Sequence, residues 1–328
     1  MRYYWLCFSF LSSLFSENNS PFIESVKEIE IPNFKGAYNP SIVDLGDRYL
    51  LFFRYDIYEK PIWSLLDYTM NIGYVILDEA FSIISEPKLI KDLGDQSIDP
   101  RVIRNNDDLF VLSASPIHKE DKSKLFVALF LSKLKIQNDE VIVEDKKQLF
   151  VPWQNRWEKN WAPFIDNDRL LLSYTIVPHV VIEPLETGKC SLVSKTESLV
   201  DWSYGEIRGG TGAILDGNEY LAFFHSSKKI NNKLHRYFMG AYRYEKEFPY
   251  KLTSISKKPF ICSDFYTTKK GVLSSSDVIF PGGFVIKQNK IFLVYGENDA
   301  GIKLMTIDKN KLMNKLQSPK TPRKRIRD

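Results

Sequence analysis

Pairs of apolar segments separated by a short polar turn recur five times along this chain. The clearest copy lies at residues 162–174, where a polar turn at 166–168 separates the two apolar segments. Asn and Asp tolerate the left-handed backbone of tight turns, so the pattern predicts two antiparallel strands. The other copies lie at residues 41–53, 99–112, 212–224 and 283–295, and their turns centre near Gly46, Asn106, Gly217 and Asn289.

A further apolar segment follows most of these hairpins, at residues 126–131, 180–183, 239–244 and 302–307. Three or four strands in each of five repeats predict an all-β fold, a five-bladed β-propeller. A β-sandwich would have shorter spacing between its turns, and the alternating helices of an α/β fold are missing from the pattern. The alternating segment 28–31 has no hairpin partner, so we expect this N-terminal strand to close the last blade, beside residues 291–295.

The composition is that of one large globular domain. The chain has 328 residues, of which 44% are hydrophobic, enough for a substantial core. Its net charge of +4 lies in the last twelve residues, which carry five basic and one acidic side chain, while the remainder carries 40 of each. We expect one propeller domain at 21–315 and a basic disordered tail at 316–328. The balanced charge of the domain argues against a nucleic-acid partner.

The first twenty residues contain a candidate signal peptide or leader. Arg2 precedes an apolar segment at 3–15 that is too short to span a membrane. The candidate cleavage positions after Ser13 and Ser16 have Leu rather than a small residue at the −3 position, so an exported and a cytoplasmic location both stay open. Beyond this segment the only cysteines are Cys190 and Cys262, which predict neither a disulfide framework nor a metal site.

Polar residues stand at the start of each repeat, where the strand itself requires none. They are Asn39, Asp99 with Arg101, Lys159 with Asn160, Arg208, and Asp277. If rotation relates the blades, these equivalent positions meet at one mouth of the central channel. The sequence therefore predicts a concave polar site to which all five blades contribute.

Short motifs carry a more specific signal. In chain order they are Tyr38-Asn-Pro, Asp99-Pro-Arg, Lys159, Arg208-Gly-Gly, His225, Met239-Gly-Ala, Phe280-Pro-Gly-Gly and Tyr295-Gly-Glu-Asn-Asp. From about residue 39 to residue 308 this order resembles glycoside hydrolase family 130. That family comprises β-mannoside phosphorylases and some hydrolases on five-bladed propellers. The resemblance therefore implies a carbohydrate-active enzyme with an oligosaccharide or glycoside substrate.

The resemblance also implies roles for individual residues. Asp99 matches the family's proton donor, while Asn39, Arg54 and Asp299 match substrate-binding positions. The phosphate-binding lysine and histidine of the family fall on Lys159 and His225, so inorganic phosphate is the implied co-substrate and no other cofactor is expected. Two departures stand out: Ile98 occupies the position of a motif glutamate, and one phosphate-contacting arginine of the phosphorylases has no equivalent.

The residue types themselves indicate which chemistry the site could perform. Inverting hydrolysis needs an acid and a base carboxylate, whereas phosphorolysis needs only the acid, because phosphate is already a nucleophile. Lys159, Arg208 and His225, here called the basic trio, could hold a phosphate. Ordinary ion pairs at the blade ends, with Glu158 or Glu206, are the competing interpretation. The remaining expected sugar contacts are Arg101, Asn160 and Trp161.

Several functions stay open at this point. The first is inverting glycosyl transfer to or from phosphate. The second is hydrolysis or glycosyltransfer on the same fold, and the third is a propeller that binds glycans without catalysis. The combination of Asp99 with Arg101, Lys159 and His225 favours catalysis over binding alone.

Overall fold

Five small antiparallel sheets form the blades of a β-propeller, as the sequence predicts. The computed structural model describes residues 19–58, 68–118, 125–153, 155, 157–231, 234–272 and 274–320. Strand β1 (Ile23–Glu28) precedes the five blades in the chain. Each blade begins with its innermost strand and proceeds outward, so the chain builds the blades one after another around a central channel.

The strands are numbered in chain order. Blade I contains β2 (Tyr38–Asp44), β3 (Tyr49–Ile57), β4 (Thr69–Leu77) and β5 (Lys88–Leu89), followed by a short 3-10 helix at Lys91–Leu93. Blade II contains β6 (Ile98–Asn105), β7 (Asp108–His118), β8 (Leu125–Gln137) and β9 (Glu140–Leu149). Blade III contains β10 (Ala162–Asp166), β11 (Arg169–Thr175), β12 (His179–Pro184) and β13 (Cys190–Thr196).

Blade IV contains β14 (Glu206–Gly209), β15 (Ile214–Asp216), β16 (Glu219–Lys229), β17 (His235–Glu245) and β18 (Leu252–Ser256). Both β14 and β15 pair with β16, so together they form its innermost layer. Blade V contains β19 (Ile279–Lys287), β20 (Lys290–Glu297) and β21 (Gly301–Asp308). The helix α1 (Lys309–Met313) and the strand β22 (Leu316–Gln317) follow.

The N-terminal strand closes blade V by pairing with β21, which confirms the expected closure. Its position differs from the expected 28–31, because the pairing strand is β1 at Ile23–Glu28. Ile29 and Ile31 lie beyond that strand and are buried in a cluster with Val285 and Val294 of blade V. Pairing with β21 continues one residue past the strand, since the Ile29 N–H donates to the Ile302 carbonyl at 2.9 Å, and the alternation of Ile29 and Ile31 reflects this together with burial at the junction of blades I and V.

The C-terminal segment is more ordered than the sequence suggests. Strand β22 adds to the outer edge of blade IV by pairing with β18, and Lys320 bridges to Leu199. The prediction that the disordered tail begins at 316 is therefore wrong for residues 316–320. Residues 321–328 and the candidate leader at 1–18 lie outside the described residues.

Alternate residues along a blade strand pack against opposite neighbouring blades. In β3, Leu50 and Phe52 belong to a core cluster shared with blade II, while Leu51 and Phe53 belong to one shared with blade V. Both faces of each inner sheet are thus covered, which explains why the strands have nearly continuous apolar sequences. In the described part of the chain, no helix is long and apolar enough to cross a membrane.

All five predicted hairpins are present, as β2–β3, β6–β7, β10–β11, β15–β16 and β19–β20. Their turns lie at one end of the channel. The beginnings of the first strands and the ends of the second strands therefore meet at the other end. This is the end at which the sequence places its polar residues.

Candidate active site

A cavity of about 250 Å³ opens where the five blades meet, and we call it the mouth pocket. Every blade contributes to it, as the repeat positions predict. Its lining residues are Tyr38, Asn39, Arg54, Asp56, Tyr58 and Tyr68 of blade I and the adjoining segments, Asp99 of blade II, Lys159 and Asn160 ahead of blade III, Arg208, His225 and Tyr237 of blade IV, and Val278, Phe280 and Asp299 of blade V.

Asn39 and Asp99 occupy equivalent positions in blades I and II. Each precedes a proline at a break in strand register, and each has a left-handed backbone, with φ values of 45° and 53°. Asn and Asp tolerate this conformation better than other residues with a side chain. Such bulges redirect side chains, and here the Asn39 side-chain N–H donates to the Asp99 carboxylate at 2.8 Å.

Asp99 is a buried carboxylate surrounded by positive charge. Its side chain is 3% exposed and lies 3.3 Å from an Arg54 nitrogen and 3.5 Å from Lys159 Nζ. Burial raises the pKa of the carboxyl, but Lys159, Arg54 and the Asn39 hydrogen bond outweigh it and hold the pKa well below its usual range. Asp99 is therefore ionised while these partners are in place.

Arg54 is fixed by a second carboxylate, Asp56, which the sequence analysis missed. Two Arg54 nitrogens donate to the two oxygens of Asp56, each at 2.8 Å, and the Tyr38 hydroxyl donates to Asp56 at 2.6 Å. Residues two apart in a strand share a face, so the alternation of Arg54 and Asp56 was a usable signal. Such bidentate pairing fixes the guanidinium beside Asp99.

Arg101 does not line the mouth pocket, so its expected contact with sugar is wrong. Its side chain is fully buried and donates to the carbonyls of Gly210 at 2.7 Å, Gly209 at 3.3 Å and Asp99 at 3.3 Å. It also donates to the Asn160 side-chain oxygen at 3.1 Å. Burial lowers the pKa of Arg101 to about 10. This guanidinium joins blades II, III and IV beneath the pocket.

Trp161 is also placed differently from the prediction, which gave it a sugar contact. It is 1% exposed and packs in the core between blades II and III, with its indole N–H donating to Glu158 at 3.0 Å. Glu158, itself 4% exposed, also accepts from the Asn155 N–H at 2.6 Å and the Tyr174 hydroxyl at 3.1 Å, so the indole is part of a buried hydrogen-bond network and does not line the pocket. Asn160 does line the pocket, and its backbone φ of 71° is left-handed.

The basic trio lines the pocket together, though its members differ in environment. Lys159 and Arg208 have side chains that are 40% exposed, and Arg208 also pairs with Glu206 at 2.8 Å. His225 is 2% exposed, and its Nδ1 has no hydrogen-bond partner among the described residues. Burial, together with the charges of Arg101, Lys159 and Arg208, lowers the pKa of His225 well below its usual range. His225 is therefore neutral at physiological pH.

Asp299 is positioned by the two residues before it. Glu297 accepts two backbone N–H bonds from the segment 266–268 and pairs with the buried Lys303 at 2.7 Å. The Asn298 side chain accepts a hydrogen bond from the Val278 backbone N–H and donates one to the Thr268 carbonyl. Asp299 then enters the pocket, and within the described residues it forms no ion pair with a lysine or arginine. Burial raises the pKa of its carboxyl, against the hydrogen bond from Ser274.

Two glycines allow the blades to approach the site residues closely. A side chain at Gly296 would collide with Asn39, and one at Gly209 would collide with the carbonyl of Asn160. The glycines in Tyr295-Gly-Glu-Asn-Asp and Arg208-Gly-Gly thus serve close packing between blades. Asp277, which the repeat pattern placed near the mouth, instead pairs with Arg236 at 2.8 Å and with Lys270 at 2.9 Å.

Comparison with known proteins gives no match to any family model, and no curated protein is matched. Solved structures do match. A β-1,2-mannobiose phosphorylase from Listeria innocua has a TM-score of 0.61 and 16% identity, covering 90% of this chain and 94% of that one. MPT-4, a mannose phosphorylase from Leishmania mexicana solved with phosphate, has a TM-score of 0.58 and 13% identity, covering 92% and 94%.

A third similar structure comes from a study of GH130 enzymes, a family of mannoside phosphorylases that contains hydrolases targeting β-1,2-mannosidic linkages in Candida mannan. Its TM-score is 0.62 at 10% identity, and the match covers 93% of this chain and 99% of the other. At identities this low, the similarity shows only a shared fold. The chemistry of this chain must be inferred from its own residues. The chain thus has the five-bladed fold found in the GH130 mannoside phosphorylases and hydrolases.

Proposed function

We propose that this protein is a carbohydrate-active enzyme that transfers a glycosyl unit of a β-mannoside, with inversion, to or from inorganic phosphate. The observation that carries the proposal is the composition of the mouth pocket. A buried carboxylate, Asp99, shares it with the basic trio, which comes from the segment before blade III and from blade IV. This arrangement supplies a proton donor and an anion site in one cavity.

The basic trio would hold the phosphate. Lys159 and Arg208 supply positive charge, and neutral His225 supplies a ring nitrogen that has no partner among the described residues. Donors that converge from separate blades favour a compact anion with several oxygens. The Listeria and Leishmania phosphorylases of the same fold support phosphate as that anion.

Asp99 would protonate the glycosidic oxygen. A phosphate oxygen attacks the anomeric carbon, the bond from that carbon to the glycosidic oxygen breaks, and the departing oxygen receives a proton from Asp99 directly or through a sugar hydroxyl. In the free pocket Lys159 is one of the groups that lower the pKa of Asp99, together with Arg54 and Asn39. Phosphate would draw the Lys159 ammonium toward itself, so the pKa of Asp99 would rise when the nucleophile binds.

The test is product analysis on a panel of β-mannosides with and without phosphate. We expect sugar 1-phosphate to form from at least one β-mannoside, and only when phosphate is present. The reverse reaction, from sugar 1-phosphate and an acceptor sugar, should regenerate the glycoside. Release of free sugar at the same rate in both conditions would instead establish hydrolysis, and turnover of nucleotide sugars alone would establish a glycosyltransferase.

Hydrolysis is the second candidate, and one observation favours it. Asp299 is a second carboxylate in the pocket, and inverting hydrolysis requires a second carboxylate as base. Burial raises the pKa of its carboxyl, which makes the ionised form a stronger base and is compatible with that role. Phosphorolysis remains the proposal because hydrolysis gives no use to the basic trio, whereas phosphorolysis requires an anion site beside the acid. A glycan-binding protein without activity would bind β-mannosides in the panel and convert none.

A further inference from the structure

The mouth pocket is lined by an exposed aromatic side chain, Tyr58, that could pack against a sugar ring. Tyr58 follows β3 and is 37% exposed, whereas Trp161, expected in this role, is 1% exposed. Both Tyr58 and its neighbour Tyr68 line the pocket. An aromatic face packs well against the C–H groups on one face of a pyranose ring.

Tyr58 is held in place from two directions. Its hydroxyl donates to Asp56 at 3.3 Å, and Asp56 is itself fixed by Arg54 and Tyr38. Its ring lies 5.0 Å from that of Tyr68, at 35°, and Tyr68 is 4% exposed within the core. Burial and the Asp56 charge raise the pKa of Tyr58, so the hydroxyl remains a donor. An aromatic ring that is already ordered loses little entropy when it binds.

The position of Tyr58 in the ring of blades indicates which sugar it contacts. Blades I to V follow one another around the axis, each packing on the next, and blade V packs on blade I. In a ring of five, blade I faces the junction of blades III and IV. The basic trio comes from these two blades, since Lys159 immediately precedes blade III and Arg208 and His225 belong to blade IV, whereas Tyr58 and Tyr68 come from blade I.

Inverting displacement requires the nucleophile and the leaving group to lie on opposite sides of the anomeric carbon. With phosphate at the junction of blades III and IV, the leaving sugar extends toward blade I. Asp99, on blade II, stands between the two, where a donor to the leaving oxygen belongs. We infer that Tyr58, seated on Tyr68 and Asp56, is the stacking platform for the leaving-group sugar, which is the acceptor sugar of the reverse reaction. This inference rests on the proposed function.

The role of Tyr58 as a stacking platform can be tested by measuring the binding of two probes. The probes are β-1,2-mannobiose and mannose 1-phosphate, and titration calorimetry measures their dissociation constants in an Asp99→Asn background that prevents turnover. Tyr58→Ala should weaken mannobiose binding about tenfold and leave mannose 1-phosphate binding unchanged, because only mannobiose carries the second ring. Tyr58→Phe keeps the ring and should change either value less than about threefold.

Trp153→Ala is the matched control, since Trp153 is 44% exposed but lies outside the pocket, and it should change neither constant. The melting temperature of each variant verifies folding. If mannobiose binds and Tyr58→Ala leaves that binding unchanged, or weakens both probes equally, the inference is overturned while the proposed function stands. If the protein with Tyr58 intact binds neither probe, the proposed function fails and the inference falls with it.

Discussion

The two halves of the mouth pocket differ in how firmly their charged groups are held. On the side of blades I and II, Asp56 and Asp99 are buried and each accepts hydrogen bonds from more than one side chain. On the side of blades III and IV, Lys159 and Arg208 have side chains that are 40% exposed. His225 is buried, and its Nδ1 has no hydrogen-bond partner in the part of the chain that the structure describes.

This difference separates two tasks of the site. A general acid must sit accurately beside one oxygen, so the acid half is held by a dense network before substrate arrives. An anion site must exchange water for phosphate, so its cations can be solvated when the site is free. Lys159 contacts both halves, because it pairs with Asp99 in the free pocket and belongs to the basic trio.

Arg101→Met should remove the support beneath the acid half. The buried guanidinium donates to three carbonyls, and their loss of a partner should lower the free energy of unfolding by about 3 kcal/mol or more. Urea denaturation measures this change. Arg104→Met, at an exposed position near the turn end of the same strand, is the control and should stay within about 0.5 kcal/mol. Equal changes in the free energy of unfolding for the two variants would show that the Arg101 hydrogen bonds do not stabilise the fold.

Asp99→Asn tests the acid itself. The amide keeps the shape of the side chain but cannot supply the proton, so turnover should fall about 100-fold or more while mannoside binding persists. Steady-state kinetics on a substrate of the parent enzyme measures the effect. Asp107→Asn changes an exposed carboxylate in the turn of the same hairpin and should leave turnover unchanged. Near-normal turnover of Asp99→Asn would remove this residue from the mechanism.

Lys159→Met tests the anion half. Loss of a charged donor should raise the KM for phosphate about tenfold or more, with a smaller effect on the KM for the mannoside. Initial rates at varied phosphate and fixed mannoside separate the two constants. Lys195→Met, in an exposed ion pair of blade III, is the matched control. A tenfold increase confined to the mannoside KM would place Lys159 at the sugar rather than at phosphate.

Anion binding in one half of the pocket should have a small effect on the protonation of Asp99 in the other half. Because Lys159 lowers the pKa of Asp99 in the free pocket, an anion that takes up Lys159 should raise that pKa. Anion binding is then coupled to proton uptake by Asp99, so affinity should increase as pH falls through the pKa that Asp99 has in the complex. Sulfate is the suitable probe, since it stays a dianion in the pH range where phosphate gains a proton, and calorimetry in buffers of different ionisation enthalpy measures the uptake.

Asp99→Asn provides the control for this coupling, since it should bind sulfate without the Asp99 contribution to proton uptake. The other groups around Asp99 are Arg54, Arg101, Asp299 and His225, and all four remain in the variant. Identical uptake by the two proteins would assign the proton to one of those groups and contradict the coupling.

The repeated pattern of apolar and turn residues determined the number of blades and the hairpin of each. Hairpin register is a local property, because turn chemistry and the two-residue period of a strand are both contained in neighbouring positions. Rotational repetition then brought the blade-entry residues Asn39, Asp99, Lys159 and Arg208 to one mouth, as predicted. The unpaired N-terminal segment likewise indicated closure of blade V, although the strand begins at Ile23.

Which side chains at the mouth are buried and which line the pocket depends on the packing of neighbouring blades. In a propeller, both faces of an inner strand are covered, so alternation does not tell which residue faces the channel and which faces the next blade. Arg101 and Trp161 were therefore expected at the sugar but lie in the interblade core, while Tyr58 and Asp56 line the pocket. The sequence by itself determined the elements and the chemistry available at the mouth. The tertiary structure alone decided which side chains reach the cavity, because packing between blades brings together residues that are far apart in the chain, such as Arg101 and Gly210.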